Sequence, residues 1–396
     1  MAESVIERLM NTNPDLEVWW DSSPLVYASW MKGMIDRVPD GRKQERAAQL
    51  GRLFNATDPA KSVFRGCTTN PPLSLTAVKS DPQKWEARVR EIAHENPDAD
   101  ARRLSWLVYK EVIRRGAEMF HALYEASNRR FGWVSGQLDP RLFTERDIMC
   151  KQAEDIHSIA PNVMVKVPAS REGIDVVRYL TSKAISTNVT TCFTMPQILA
   201  VAKAAKDGYA IGQKNGVDMS GWRAVITHML GRLIERKDLD AQAEYCGVKL
   251  SETDKKWFGI AVFKRACRII REGGYPSKML LCSVRPGPLV SGKMRYWDVE
   301  AFAGGDVVFT LPPGALTPLF DLGDDLEFCA DAINEDVPAE ALEKVLKTPY
   351  AKQAYDPYGL SPDQFNTHPA TCFTVDEFSR AAVGLEDYVA KIHATL

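Results

Sequence analysis

Eight short, apolar and β-branched runs, each ending in a polar cluster and separated from the next by helical sequence, restrict this chain more than any other feature. The runs are Leu16–Trp20, Val63–Cys67, Trp133–Ser135, Val163–Val167, Ile185–Thr191, Arg223–Thr227, Met279–Cys282 and Val307–Leu311. Between them, apolar residues recur at helical spacing. Asp100–Arg129 carries Leu104, Leu107, Val108, Val112, Phe120 and Leu123 on this period. Arg141–Ile159, Glu172–Lys183, Pro196–Lys206 and Ser251–Arg271 follow, each opening near an acidic residue, Pro, Ser or Thr that can start a helix. Strands alternating with helices require parallel pairing with right-handed crossovers. Eight such units predict an α/β fold of the (β/α)8 TIM-barrel type, with functional groups at the C-terminal strand ends. A doubly wound open sheet is the alternative. It usually carries a glycine-rich turn after the first strand, and here that strand runs into Asp21-Ser22-Ser23-Pro24.

Residues 1–320 are expected to form the barrel. Residues 321–396 read as a C-terminal helical extension packing on it, with a helix near Pro338–Leu346, a loop-rich stretch over Tyr350–Pro369 and an amphipathic helix at Val375–His393. The formal net charge of -2 gives no electrostatic reason to expect nucleic acid. No apolar run approaches the roughly 20 residues that span a bilayer, and MAESVIERLM has no apolar core to serve as a signal peptide. Eight cysteines without a CxxC pair read as reduced, mostly buried thiols of a cytoplasmic protein. The six histidines lack ligand spacing, so no metal site is expected.

Within Val163-Met164-Val165-Lys166-Val167, period-2 alternation sets Met164 and Lys166 opposite the valines. The outer face of a parallel barrel packs on helices, so Lys166 should face the interior. Burial disfavours an ammonium and leaves an amine able to attack a carbonyl. A buried lysine neutralised by a carboxylate is an equal reading of the residue alone. Asp21, ending the first run, could move a proton or cap a turn. Asn70, before Pro71-Pro72, could hold a hydroxyl or close the turn into a helix. Asn188 and Thr190 share one face of the fifth run and must find polar partners, whether a bound polyol, water or each other. Thr227 and Arg232 follow the sixth run and Ser283 and Arg285 the seventh, a pairing of hydroxyls and guanidinium forks that suits phosphate.

Taken in order, these segments resemble transaldolases. Gly66-Cys67-Thr68-Thr69-Asn70-Pro71 is similar to that family's second-strand motif, VMVKVPASREG (Val163–Gly173) to its lysine segment, and NVTTCFTMPQ (Asn188–Gln197) to its fifth strand. ITHMLGR (Ile226–Arg232) and CSVR (Cys282–Arg285) are similar to its sixth- and seventh-strand motifs. The resemblance implies Lys166 as the Schiff-base nucleophile, Asp21 as acid/base for the C3–C4 bond, and Thr190 as a holder of the catalytic water. It implies Asn70 and Asn188 as holders of the dihydroxyacetone unit, and Thr227, Arg232, Ser283 and Arg285 as phosphate ligands. It implies phosphorylated ketose and aldose substrates, no metal or organic cofactor, and by analogy a homodimer.

Two positions depart from the pattern. Gln137 in Ser135-Gly136-Gln137-Leu138-Asp139 stands where transaldolases carry a glutamate that works with the water. The related fructose-6-phosphate aldolases have glutamine there but use a tyrosine where this chain has Met229. Neither arrangement is complete. His228, beside Met229, could supply the missing proton transfer or simply be packed. Three functions are therefore carried forward: a transaldolase-type transferase, an aldolase-like lyase, and a phosphosugar-binding protein with lost or redirected catalysis.

Overall fold

The computed structural model describes residues 2–55 and 57–396. Its strands are β1 (Glu17–Trp20), β2 (Gly66–Thr68), β3 (Trp133–Gln137), β4 (Val163–Pro168), β5 (Thr187–Cys192), β6 (Ala224–Met229), β7 (Lys278–Cys282) and β8 (Val308–Leu311). They close into a barrel in which chain-order neighbours lie side by side and β8 returns to β1. The anticipated (β/α)8 barrel is therefore the fold, and the C-terminal region is helical as expected. The chain packs as two compact units, one made of residues up to Trp19 with Val167–Thr374, the other of Trp20–Lys166 with Val375–Leu396.

In the Trp20–Lys166 unit, β2 pairs β3 with Thr68 opposite Ser135, and β3 pairs β4 with Gln137 opposite Lys166. Gly136 settles which way these strands face. A methyl group on it would lie 2.8 Å from Ile156 and 2.9 Å from Ile113, on helices Arg146–His157 and Ala101–Ala126. Gly136 thus faces the helical shell, and Ser135 and Gln137, with their register partners Thr68, Met164 and Lys166, face the interior. Outside β1 and β2, Trp20, Tyr27, Trp30 and Phe64 pack ring against ring, and the Tyr27 hydroxyl donates to the Leu50 carbonyl at 2.6 Å. The second strand begins later than the sequence suggests. The amides of Val63 and Phe64 donate to carbonyls of Arg52 and Leu53 at the end of helix Asp40–Leu53, so those residues close a loop instead.

In the other unit, the interior base of the barrel is ionic. Glu17 accepts from Arg223 at 2.5 Å, Lys278 at 2.9 Å and the Trp19 indole at 3.0 Å. Burial alone would raise the Glu17 pKa, but the two cations outweigh it and hold the carboxyl below its ordinary value. Helix Met195–Lys214 is longer than its sequence pattern implied. Its first turn is fixed by a Thr194–Gln197 capping box, and Gln197 also donates to the carbonyls of Ala169 and Thr191. The stretch read as loop-rich contains helix Pro349–Tyr355, capped by Thr348, and the last helix begins at Pro369. An antiparallel ribbon, Leu289–Val290 with Lys293–Met294, follows β7. Of the eight cysteines, Cys67, Cys150, Cys192 and Cys282 are buried, Cys267 is half-buried, and Cys246, Cys329 and Cys372 are exposed. Among the described residues, no helix is long and apolar enough to cross a membrane.

Candidate active site

Lys166 is 5% exposed, and its Nζ lies 3.4 Å from the Thr69 carbonyl, a long contact for a hydrogen bond. Gln137 lies in register beside it. The Gln137 side-chain oxygen is buried and, among the described residues, has no hydrogen-bond partner. Such an acceptor is costly unless a bound hydroxyl or water supplies a donor. On the same interior face, the Thr68 hydroxyl donates to the half-buried Asp21 carboxylate. The structure thus brings Asp21, Gln137 and Lys166 to one face of their unit. Asn70 is divided between two roles. Its Oδ1 caps helix Pro71–Ser80 by accepting from the Leu73 amide at 2.9 Å, which leaves its Nδ2 and one lone pair of the oxygen for a ligand.

Beside this cluster, a cavity of about 480 Å³ is lined by Pro71, Trp106, Tyr109, Gln137, Leu138 and Leu385, among others. Its rim is held by Arg141, which reaches Asp139 at 2.7 Å and Glu386 of the last helix at 2.6 Å.

In the other unit, the Thr227 hydroxyl donates to the Asn188 side-chain oxygen at 2.6 Å, and both residues are fully buried. The Thr227 hydrogen is therefore committed to the Asn188 oxygen. Thr190 points its hydroxyl toward the Met229 sulfur at 3.9 Å. Ser283 adopts a positive φ of 60°, and its carbonyl accepts from Gly231. Only glycine fits at Gly231, because a Cβ there would lie 2.2 Å from that carbonyl. This tight crossing joins the ends of β6 and β7. Arg232 reaches Thr374 at 3.5 Å and lies over the Phe373 ring, while Arg285 is paired with Glu235 at 3.1 Å. The two arginines are therefore each engaged by protein groups. His228 lies on the opposite face from Thr227 and Met229, against Phe263, with both ring nitrogens buried and without partners among the described residues. Burial pushes its pKa down to about 3, so it is a packed neutral ring and not the proton carrier considered from sequence.

Several contributors were missed from sequence. Thr68 was hidden inside the motif that drew attention to Asn70. Tyr109 sits in the apolar stripe of helix Ala101–Ala126, where only its hydroxyl could have marked it. Glu235 and Glu386 gave no signal, because their partners are distant in sequence.

The fold and these residues define a parallel β/α barrel with an interior lysine on its fourth strand. The family model described as Transaldolase/Fructose-6-phosphate aldolase matches residues 57–355, and the chain belongs to that family. Among relatives, a protein named transaldolase from Thiobacillus denitrificans is 28% identical over 331 residues, covering 80% of this chain and 87% of the relative. Transaldolases of Mycolicibacterium smegmatis and Mycobacterium ulcerans are 30% and 29% identical over 208 residues, or 52% of this chain. The chain spans about half the length, 53%, of these mycobacterial relatives.

Proposed function

We propose that the protein transfers a dihydroxyacetone unit between phosphorylated sugars through a Schiff base on Lys166. The observation that carries this reading is the interior amine of Lys166 in register with Gln137, on a face that also holds the Thr68-bound Asp21. The uncharged amine adds to the C2 carbonyl of a ketose phosphate, and loss of water with uptake of one proton from solvent gives the protonated imine. Asp21 takes the proton of the C4 hydroxyl while the C3–C4 bond breaks into the imine. An aldose phosphate leaves, and the enamine stays on Lys166. Addition of that enamine to an acceptor aldose phosphate, with the proton returned by Asp21, reverses these steps, and water then frees the amine. The imine is itself the electron sink, so the reaction calls for no metal or organic cofactor.

In this reading, Asn188 and the Nδ2 of Asn70 hold hydroxyls of the three-carbon unit, and Thr190 holds the water. Arg232, Arg285, Ser283 and Thr227 bind the phosphate, which displaces Glu235 from Arg285. Gln137 can accept a hydrogen bond but cannot carry the proton that a glutamate would. That substitution favours a second reading, an aldolase-like lyase that releases the three-carbon unit without an acceptor. A sugar phosphate-binding protein with lost catalysis is the third.

Borohydride reduction in the presence of fructose 6-phosphate, followed by peptide mapping, tests all three. A reduced adduct on Lys166, absent in Lys166→Met, is expected. Dihydroxyacetone released without an aldose phosphate would favour the lyase. Binding by calorimetry without an adduct would leave only the third reading.

A further inference from the structure

We propose that Tyr109 is a positioning residue for this reaction, holding Gln137 beside Lys166 by standing in for a missing stretch of strand; the inference rests on the Schiff-base reading above. Strand β2 stops at Thr68, opposite Ser135, while β3 continues to Gln137. In a parallel sheet, alternate residues direct their amide and carbonyl to opposite neighbours. On β3, Val134 and Leu138 donate toward β4, to Asn162 and Lys166. Gln137 therefore turns both its backbone groups toward β2, where no strand remains. An unpaired amide and carbonyl in the interior would be costly.

The Tyr109 hydroxyl fills both vacant rungs. It accepts from the Gln137 amide at 2.8 Å and donates to the Gln137 carbonyl at 3.0 Å. Thr69 supplies the preceding rung by donating to the Ser135 carbonyl at 2.6 Å. A phenol can both give and take a hydrogen bond through one atom, and no aliphatic or phenyl side chain can. Tyr109 is itself buried, with its ring against Trp106 at 5.6 Å. Burial drives its pKa upward, so the hydroxyl keeps the proton it donates. The last peptide of β3, and with it the direction of the Gln137 side chain, is thus fixed from the helix that precedes the strand.

The test is a double-mutant cycle of Tyr109→Phe and Gln137→Ala, read as kcat and KM for transfer from fructose 6-phosphate to erythrose 4-phosphate. Thermal midpoints and borohydride adducts are followed in parallel. Displacement of a hydrogen-bonding group beside the reacting amine is expected to lower kcat of Tyr109→Phe about tenfold to a hundredfold, with KM changed less than about twofold. In the Gln137→Ala background, the same substitution is expected to change kcat by less than about twofold, because coupled residues do not act independently. Effects that multiply, or an unchanged kcat in Tyr109→Phe, overturn the proposal. If Tyr109→Phe does not fold, 3-fluorotyrosine at this position keeps the volume while altering the hydroxyl. Its kcat effect must likewise vanish without the Gln137 side chain, and an effect that persists overturns the proposal. Wild-type protein that forms no adduct refutes the Schiff-base reading and this one with it. A normal adduct with a multiplicative cycle refutes this one alone.

Discussion

Gln137 and Lys166 occupy the same rung of adjacent parallel strands, and their side chains leave the sheet on the same side. An amide therefore stands beside the amine where a titrating group would serve proton transfer. Gln137→Glu should convert this position into an acid/base. General acid–base help is worth roughly 10²–10⁴-fold, so transfer is expected to rise by at least about tenfold if the proton is limiting. The pH–rate profile should also gain an ionisation absent from the wild type. An unchanged rate and profile would show that Gln137 serves only to bind.

Asp21 offers a separation of steps. Asp21→Asn removes the proposed proton carrier without removing the proposed nucleophile. The borohydride adduct on Lys166 should persist while transfer falls by about 10²–10⁴-fold. Loss of the adduct together with transfer would mean that Asp21 instead supports imine formation.

Arg285 is occupied by Glu235 at 3.1 Å in the structure, and its side chain is 44% exposed. Such a pair is worth only about 0–1 kcal/mol, so Glu235→Gln should lower KM for fructose 6-phosphate by no more than about fivefold. Arg285→Ala should raise it by about tenfold or more, a charge-assisted contact being the stronger kind. Calorimetric titration with inorganic phosphate gives the same comparison without turnover, and equal affinities in all three proteins would remove Arg285 from the phosphate site.

His228 and His368 make stability sensitive to acid. Burial holds their pKa values down to about 3 and about 4, from an ordinary 6.5. The unfolded chain therefore binds more protons than the folded one below about pH 6.5, and stability falls as pH drops from there toward 4. Replacing either ring with phenylalanine should flatten the fall in melting temperature over that window. His228→Phe should also retain transfer activity near neutral pH, whereas a large loss would restore His228 as a proton carrier.

In the unit that holds β6 and β7, Glu17 binds both Arg223 and Lys278. Glu17→Gln removes the buried charge shared by Arg223 and Lys278, although Lys278 keeps Asp306 at 2.7 Å, and should destabilise the fold by up to about 3 kcal/mol, the lower end for broken buried pairs. Chemical denaturation at neutral pH measures this. The wild-type advantage should shrink as pH falls below the ordinary glutamate range, because the folded protein holds this carboxyl ionised more strongly than the unfolded one does.

The eight strands were legible because apolar β-branched runs and polar ends recur with little interruption, and the interior direction of Lys166 followed from alternation alone. Local hydrogen-bond competition was not legible. Val63 and Phe64 look like strand but bond to the end of a helix, and Asn70 looks like a ligand but spends its oxygen on a cap. Thr227 and Asn188 both stood out as polar residues on apolar strands, yet their mutual bond depends on how β5 and β6 are aligned. His228 showed the limit most plainly, since one residue of strand phase separates an interior base from a packed ring. The engagements of Arg285 and Arg141 depend on carboxylates brought in by the fold.

The Arg141 guanidinium grips Asp139 next to the third strand and Glu386 on the last helix, 245 residues later in the chain. Asp139 balances the guanidinium from two residues away, whereas the second carboxylate, Glu386, can be brought in only by the last helix. The cavity that Gln137 lines is thus bounded by a contact of very long sequence separation, and a change at Glu386 is felt beside the third strand.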